Sequence, residues 1–159
     1  MSAPLVTVVG IGQPFAGDDG AGPAVIAALR HARLPAGVDV LELPDPADLI
    51  PVLERGGEVI VVDAVVGGPV GALIELDPDQ RDPAEPLAVS SHGVGVMQAL
   101  ALARAVAGDR PVAHTRVFGI GIARPFITMR RLTPAVAAAV NRAARVIARL
   151  LRDELSAGR

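Results

Sequence analysis

The chain has 159 residues, 51% hydrophobic and 20% charged, and carries a formal net charge of −2 from 15 basic and 17 acidic side chains. Such a chain is globular and long enough for one substantial core, and its charge gives no case for nucleic acid or an anionic membrane. With no Cys, disulfides, thiolate catalysis and cysteine-based metal sites are excluded, and three Phe without Tyr or Trp leave no base-stacking platform.

In chain order, "MSAPLVTVVGIG" lacks a basic leader region, and Leu5–Val9 reads as a buried first strand rather than a signal peptide. Gly20–Arg33 is an Ala-rich helix, with Asp18 and Asp19 at its start as capping candidates. Val38–Leu43 reads as a second strand and Pro46–Arg55 as a helix with a proline near its start. Val59–Asp63, "VIVVD", is a continuous apolar strand of the kind covered on both faces, and Asp63 ends it. Ala72–Leu76 returns too soon for a crossover, which predicts antiparallel pairing. Asp77–Pro86 is a proline-rich acidic surface loop. His92–Val106 is a helix, Val112–Gly119 a strand and Pro134–Leu155 a long amphipathic helix. No linker or repeat divides the chain, so residues 1–159 are expected to form a single domain. No apolar run approaches the roughly 20 residues that span a bilayer, and the expected location is the cytoplasm.

Strands alternating with helices predict an α/β fold, a mostly parallel twisted sheet of about five strands with helices on both faces. Ligand sites in such sheets lie beyond the carboxyl ends of the strands. Asp18 and Asp19, Asp63, and the pair Ser91 and His92 all fall at such ends.

The stretch "GIGQPFAGDDG" is a poor nucleotide loop. Only Gly10 and Gly12 fit a dinucleotide fingerprint, Phe15 stands at the third position, and two carboxylates repel phosphate. Asp19, Asp63 and His92 instead offer two carboxylates and an imidazole, a donor set that suits Ni²⁺ or Zn²⁺. Each also has a structural explanation. The aspartates serve as first-turn acids, Asp63 as a turn cap and His92 as a helix-start residue beside Ser91. His31 reads as a solvated residue near a helix C-terminus, His114 as an edge or surface residue, and the Arg130–Arg131 pair as a solvated patch. No G-x-S-x-G elbow is present.

"GIGQPFAGDDGAG" resembles the opening signature of the hydrogenase maturation proteases: a glycine turn, a polar residue, then an acidic pair and a glycine. "VIVVDAVVGG", "SSHGVGVMQAL", "VFGIGI" and "LTPAVAAAV" are similar to that family's later blocks, in the same order along nearly the whole chain. The resemblance implies a three-layer sandwich of phosphorylase/hydrolase type. It implies an endopeptidase that removes a C-terminal extension from a nickel-loaded [NiFe] hydrogenase large-subunit precursor. The precursor's nickel would be sensed by Asp19, Asp63 and His92, with Gly12, Gln13, Asp18 and Ser91 around them as substrate-binding or supporting residues. Nickel would thus arrive as cargo, and no permanent metal is required. The metal either activates water itself or serves for recognition while a carboxylate acts as general base. The chain departs from the family pattern at Gln13, where asparagine is usual, over Leu43–Leu49, which lacks a D-G-G-T type turn, and at Arg124 in "FGIGIARPF". A non-proteolytic precursor-binding factor of the same fold, and a Rossmann-like nucleotide-binding domain, are the alternatives. The charged outer face of the last helix suits a monomer.

Overall fold

The computed structural model describes residues 5–79, 89–90, 95–124 and 130–157. Along the chain run β1 (Val6–Ile11), a 3-10 turn (Gly17–Gly20), α1 (Ala21–His31), β2 (Val38–Leu43) and a second 3-10 turn (Pro46–Asp48). Then come α2 (Leu49–Glu54), β3 (Glu58–Val66), β4 (Leu73–Leu76), β5 (Val89–Ser90), α3 (Val96–Ala107), β6 (His114–Ile122) and α4 (Pro134–Ala157).

The sheet order is β2-β1-β3-β6-β4. β2, β1, β3 and β6 are mutually parallel, and β4 runs antiparallel on β6. The expected antiparallel direction of β4 holds, but its partner is β6 and not the strand before it. β3 is already flanked by β1 and β6, so the next open edge is that of β6. The register also explains β5. β1 pairs with β3 only as far as Val62, while β6 follows β3 to Val66. The side of β3 left vacant beyond β1 is taken by β5, antiparallel, with Ser90 opposite Val65.

Strand alternation splits the apolar side chains between two cores. On one face Val6, Val8, Ile60, Val62, Phe118 and Ile120 pack under α1 and α4. On the other, Val9, Ile11, Val59, Val61 and Val117 pack under α2 and α3. This is the three-layer sandwich expected. α4 buries Val136, Ala139, Val140, Ala143, Ile147 and Leu151, a stripe at three- and four-residue spacing. Ion pairs tie the outer elements together. Arg116 of β6 reaches Glu75 of β4 at 2.8 Å and Glu154 of α4 at 3.2 Å. The Glu75 hydrogen bond, opposed by burial, raises the Arg116 guanidinium above its usual range.

Some sequence-predicted boundaries shift. β3 does not stop at Asp63 but continues three residues further. The helix expected from His92 is described from Val96, after Gly95, whose N–H is accepted by Gln98 Oε1 at 2.9 Å. No helix among the described residues is long and apolar enough to cross a membrane.

Candidate functional site

The site end is built by one strand–turn–helix connection. Gly10 of β1 and Gly22 of α1 face each other with no side chain between them. A Cβ on Gly10 would lie 2.6 Å from Ile26 Cγ1 and 2.7 Å from the Gly22 carbonyl carbon. A Cβ on Gly22 would press on the Ile11 carbonyl oxygen and lie 2.8 Å from Ile11 N and from Val62 O. The glycines therefore serve close strand–helix packing. They set the first turn of α1 directly over the peptides that end β1 and lead β3 into Asp63. Gly12 is buried, with its N–H donating to Leu43 O at 3.0 Å, whereas Gln13 is exposed.

The 3-10 turn runs straight into α1, so Asp18 and Asp19 sit one turn before the packed Gly22. Neither acts as the expected helix cap. No side chain caps the 3-10 turn, and Gly20 occupies the N-cap of α1. Their roles differ. The Asp18 carboxylate accepts the Thr133 N–H at 2.7 Å and the Thr133 hydroxyl at 2.9 Å. The Thr133 carbonyl in turn accepts the Ala137 N–H at 2.8 Å, so Thr133 opens α4. Asp18 thereby joins the start of α4 to the turn after β1. Asp19, three residues before Gly22, belongs to the helical face that touches the strand ends. Its Oδ1 is buried and has no hydrogen-bond partner among the described residues. A buried carboxylate oxygen left so costs about 1–3 kcal/mol or more, and in a native fold it calls for an explanation such as an ion.

Asp63 is 1% exposed. It is not a strand end but lies inside β3, in register with Gly119 of β6. Alternation places it on the face of Val59 and Val61, the face that α2 and α3 cover. Gly119 brings no side chain beside it. Ser91 and His92 lie outside the described residues. β5 ends at Ser90, immediately before them, against the carboxyl end of β3. Among the described residues no three His, Asp or Glu side chains converge on a metal site.

The remaining candidates are peripheral. His31 is exposed in the last turn of α1. His114 is exposed at the amino end of β6, where Nδ1 lies 2.7 Å from Glu58 Oε2. Arg124, Arg130 and Arg131 are exposed. The departure over Leu43–Leu49 takes structural form as a 3-10 turn capped by Asp45, which accepts the Ala47 N–H at 2.8 Å.

Two residues stand out in the structure for features the sequence reading did not assign to them. Thr133, followed by Pro134, carries a helix-start signal, but nothing local names Asp18 as its partner. Phe15 lies in the loop after β1, 86% exposed and with φ 60°.

The comparisons agree with this architecture. A model of the hydrogenase maturation protease family HycI matches residues 23–150, which include Asp63 and His92 and leave out Asp18 and Asp19. No curated protein matches the chain. Among solved structures, the [NiFe] hydrogenase maturation protease HycI from Thermococcus kodakarensis KOD1 is 22% identical with a TM-score of 0.72, over 94% of this chain and 93% of its own. The hydrogenase maturating endopeptidase HybD from E. coli is 21% identical with a TM-score of 0.70, over 94% and 93%. The hydrogenase 2 maturation peptidase from Thaumarchaeota archaeon SCGC_AB-539-E09 is 28% identical with a TM-score of 0.63, over 92% and 97%. With four-fifths of its length matched by that model, the chain belongs to the hydrogenase maturation protease family.

Proposed function

We propose that this protein is an endopeptidase that removes a C-terminal extension from a nickel-loaded [NiFe] hydrogenase large-subunit precursor, and that Asp19, Asp63 and His92 recognise the nickel. Family membership supports the peptidase class and the hydrogenase precursor as substrate. The observation that carries the finer reading is Asp19. Its buried Oδ1 lacks a hydrogen-bond partner among the described residues, at the carboxyl end of the sheet and one turn from the glycine packed on the Val62 carbonyl. A carboxylate so placed is suited to a cation and ill suited to a phosphate. Asp63 supplies a second, deeply buried carboxylate at the same end of the sheet. His92, two residues after the end of β5, supplies a neutral nitrogen donor of the type that nickel takes readily.

In this reading the metal is part of the substrate. Its docking brings the precursor's C-terminal segment to the strand ends and makes cleavage conditional on nickel insertion. Hydrolysis then requires water to attack the scissile carbonyl and a proton to reach the departing amine, and a carboxylate of the site serves as general base. The protein works in the cytoplasm as a monomer that meets its precursor transiently.

The test is incubation with nickel-loaded and nickel-free precursor from the same organism, following the released peptide by mass spectrometry. A cut that requires nickel and disappears in Asp19→Ala, Asp63→Ala and His92→Ala is the expected result. Nickel-dependent binding without a cut would instead identify a non-proteolytic maturation factor.

A further inference from the structure

We infer that Phe15 is the anchor by which this site grips the precursor protein, an aromatic side chain held out beside Asp19 to enter an apolar hollow next to the precursor's nickel. The inference rests on the proposed substrate and adds to it a specificity-determining residue outside the metal ligands.

Two independent features single out Phe15. It is 86% exposed, so no core contact selects a large apolar side chain there. It also has φ 60°, the sole positive φ outside glycine among the described residues. A bulky residue in the left-handed region is a strained outlier, and glycine or asparagine is the ordinary occupant. Neither folding nor solubility therefore favours Phe at this position. Backbone strain kept in a loop clusters at sites that work on a partner, and an aromatic held there has the large apolar area that dominates interface energetics.

The loop is supported from below. A Cβ on Gly20 would lie 2.9 Å from the Gln13 carbonyl oxygen and 3.6 Å from Phe15 N, so the backbone beneath Phe15 rests on the 3-10 turn that carries Asp19. Gly12 and Gly17, with φ 132° and 61°, bracket the projecting segment. Only three residues lie between Phe15 and Asp19, so whatever places its nickel at Asp19 presents its surface to Phe15.

A second exposed apolar side chain belongs to the same end of the sheet. Val70, 50% exposed, sits in the turn after β3. That turn is fixed over the end of β6 by the Gly71 N–H, which donates to Gly121 O at 2.8 Å, and by the Pro69 carbonyl packed on Gly121. The precursor surface that fits is apolar on both flanks of its metal. Aromatic anchors of this kind carry a large share of binding energy in protein interfaces.

The test uses the full chain and nickel-loaded precursor, with Phe15→Gly, Phe15→Ala and Phe15→Leu. Affinity is read on immobilised precursor, KM and kcat from peptide release, and Tm by calorimetry. Phe15→Gly and Phe15→Ala should raise Kd and KM by on the order of tenfold or more, with kcat within about twofold of wild type. Phe15→Leu should recover most of the affinity. Phe15→Gly should melt no lower than wild type, because glycine adopts the same φ without the Cβ penalty. Unchanged Kd and KM would overturn the inference, as would a loss confined to kcat and Tm, which would mark Phe15 as a loop-shaping residue. Wild-type protein that binds precursor without cutting it would refute the protease reading, and the Kd comparison would still decide on Phe15. Wild-type protein that does not bind would overturn both.

Discussion

Gly22→Ala tests the strand–helix contact on which the site is built. The added methyl would be blocked by backbone on three sides: the Ile11 carbonyl, with Ile11 N and Val62 O each at 2.8 Å. Ordinary carbon contacts lie at roughly 3.5–4.0 Å, so the first turn of α1 must rise from the sheet by about 1 Å. Forcing a methyl into a packed core costs about 1–3 kcal/mol. Rigid backbone on every side puts this position near the top of that range, and alanine returns up to about 1 kcal/mol in helix propensity. The net loss is about 2 kcal/mol. At this chain length that lowers Tm by about 4–8 °C. Gly56→Ala is the control. Gly56 has nothing within 4 Å of a Cβ but a φ of +74°, so it reports backbone strain alone, about 1 kcal/mol or somewhat more. Calorimetry on the two variants separates the steric term from the torsional one. Because the shift also carries Asp19, precursor cleavage in Gly22→Ala should fall even well below its Tm. A Gly22→Ala protein as stable as wild type would refute the close approach of α1 to β1 and β3, and with it the placing of Asp19.

Asp18→Ala removes both acceptors of Thr133 and should cost about 1.5–3 kcal/mol by urea unfolding; a double-mutant cycle with Thr133→Val should show coupling, and additive losses would deny the bond. Asp19→Ala removes a carboxylate with a buried oxygen that has no described hydrogen-bond partner. It should leave Tm unchanged or raised by a few degrees while abolishing nickel-dependent cleavage, and a Tm drop of 5 °C or more would mean that Asp19 supports the fold, at about 1 kcal/mol per 2–4 °C. Arg116→Ala loses two partly exposed ion pairs and should cost about 1 kcal/mol, less at high salt. His114→Ala, losing an exposed contact with Glu58, should change stability by less than about 0.5 kcal/mol by urea unfolding.

The architecture was legible where turn residues bracket a strand pattern. Val38–Leu43 matches β2 end for end, because turn residues bound a run rich in Val and Leu on both sides. β3 was cut short at Asp63, since a carboxylate after four apolar residues reads as a strand end. The ladder with β6 carries it on to Val66, and in a doubly covered strand a buried acid is a sign of function rather than of termination. The partner of β4 was not legible, because a short loop suggests a hairpin until both sides of β3 are known to be filled. β5 has two residues, too few for any periodicity. The pairing of Asp18 with Thr133 spans 115 positions, and no single-sequence pattern reaches so far. The resemblance supplied the metal-ligand assignment for Asp19, Asp63 and His92. The structure added what distinguishes Asp19 from its neighbour.

That distinction explains why two aspartates stand where related strand–turn–helix loops hold phosphate. Such a loop offers N–H groups and a helix dipole to an anion. Here the protein's own carboxylates occupy that place, so the turn presents negative charge outward. If both were solvated or both hydrogen-bonded, the turn would be only a well-capped helix start. Instead Asp18 is spent inside the fold, its oxygens accepting the Thr133 N–H and hydroxyl, and it holds α4 against the turn. Asp19 keeps a buried oxygen without a described hydrogen-bond partner. Gly10 and Gly22, with no side chains between them, let the turn lie close against the strand ends. A carboxylate fixed in place, partly desolvated and incompletely hydrogen-bonded binds a cation more strongly than a solvated one, because neither water nor side-chain freedom must be given up on binding. On the proposed function, selectivity for a loaded precursor follows from the same arrangement, since a precursor without its metal brings nothing to offset the desolvation of Asp19.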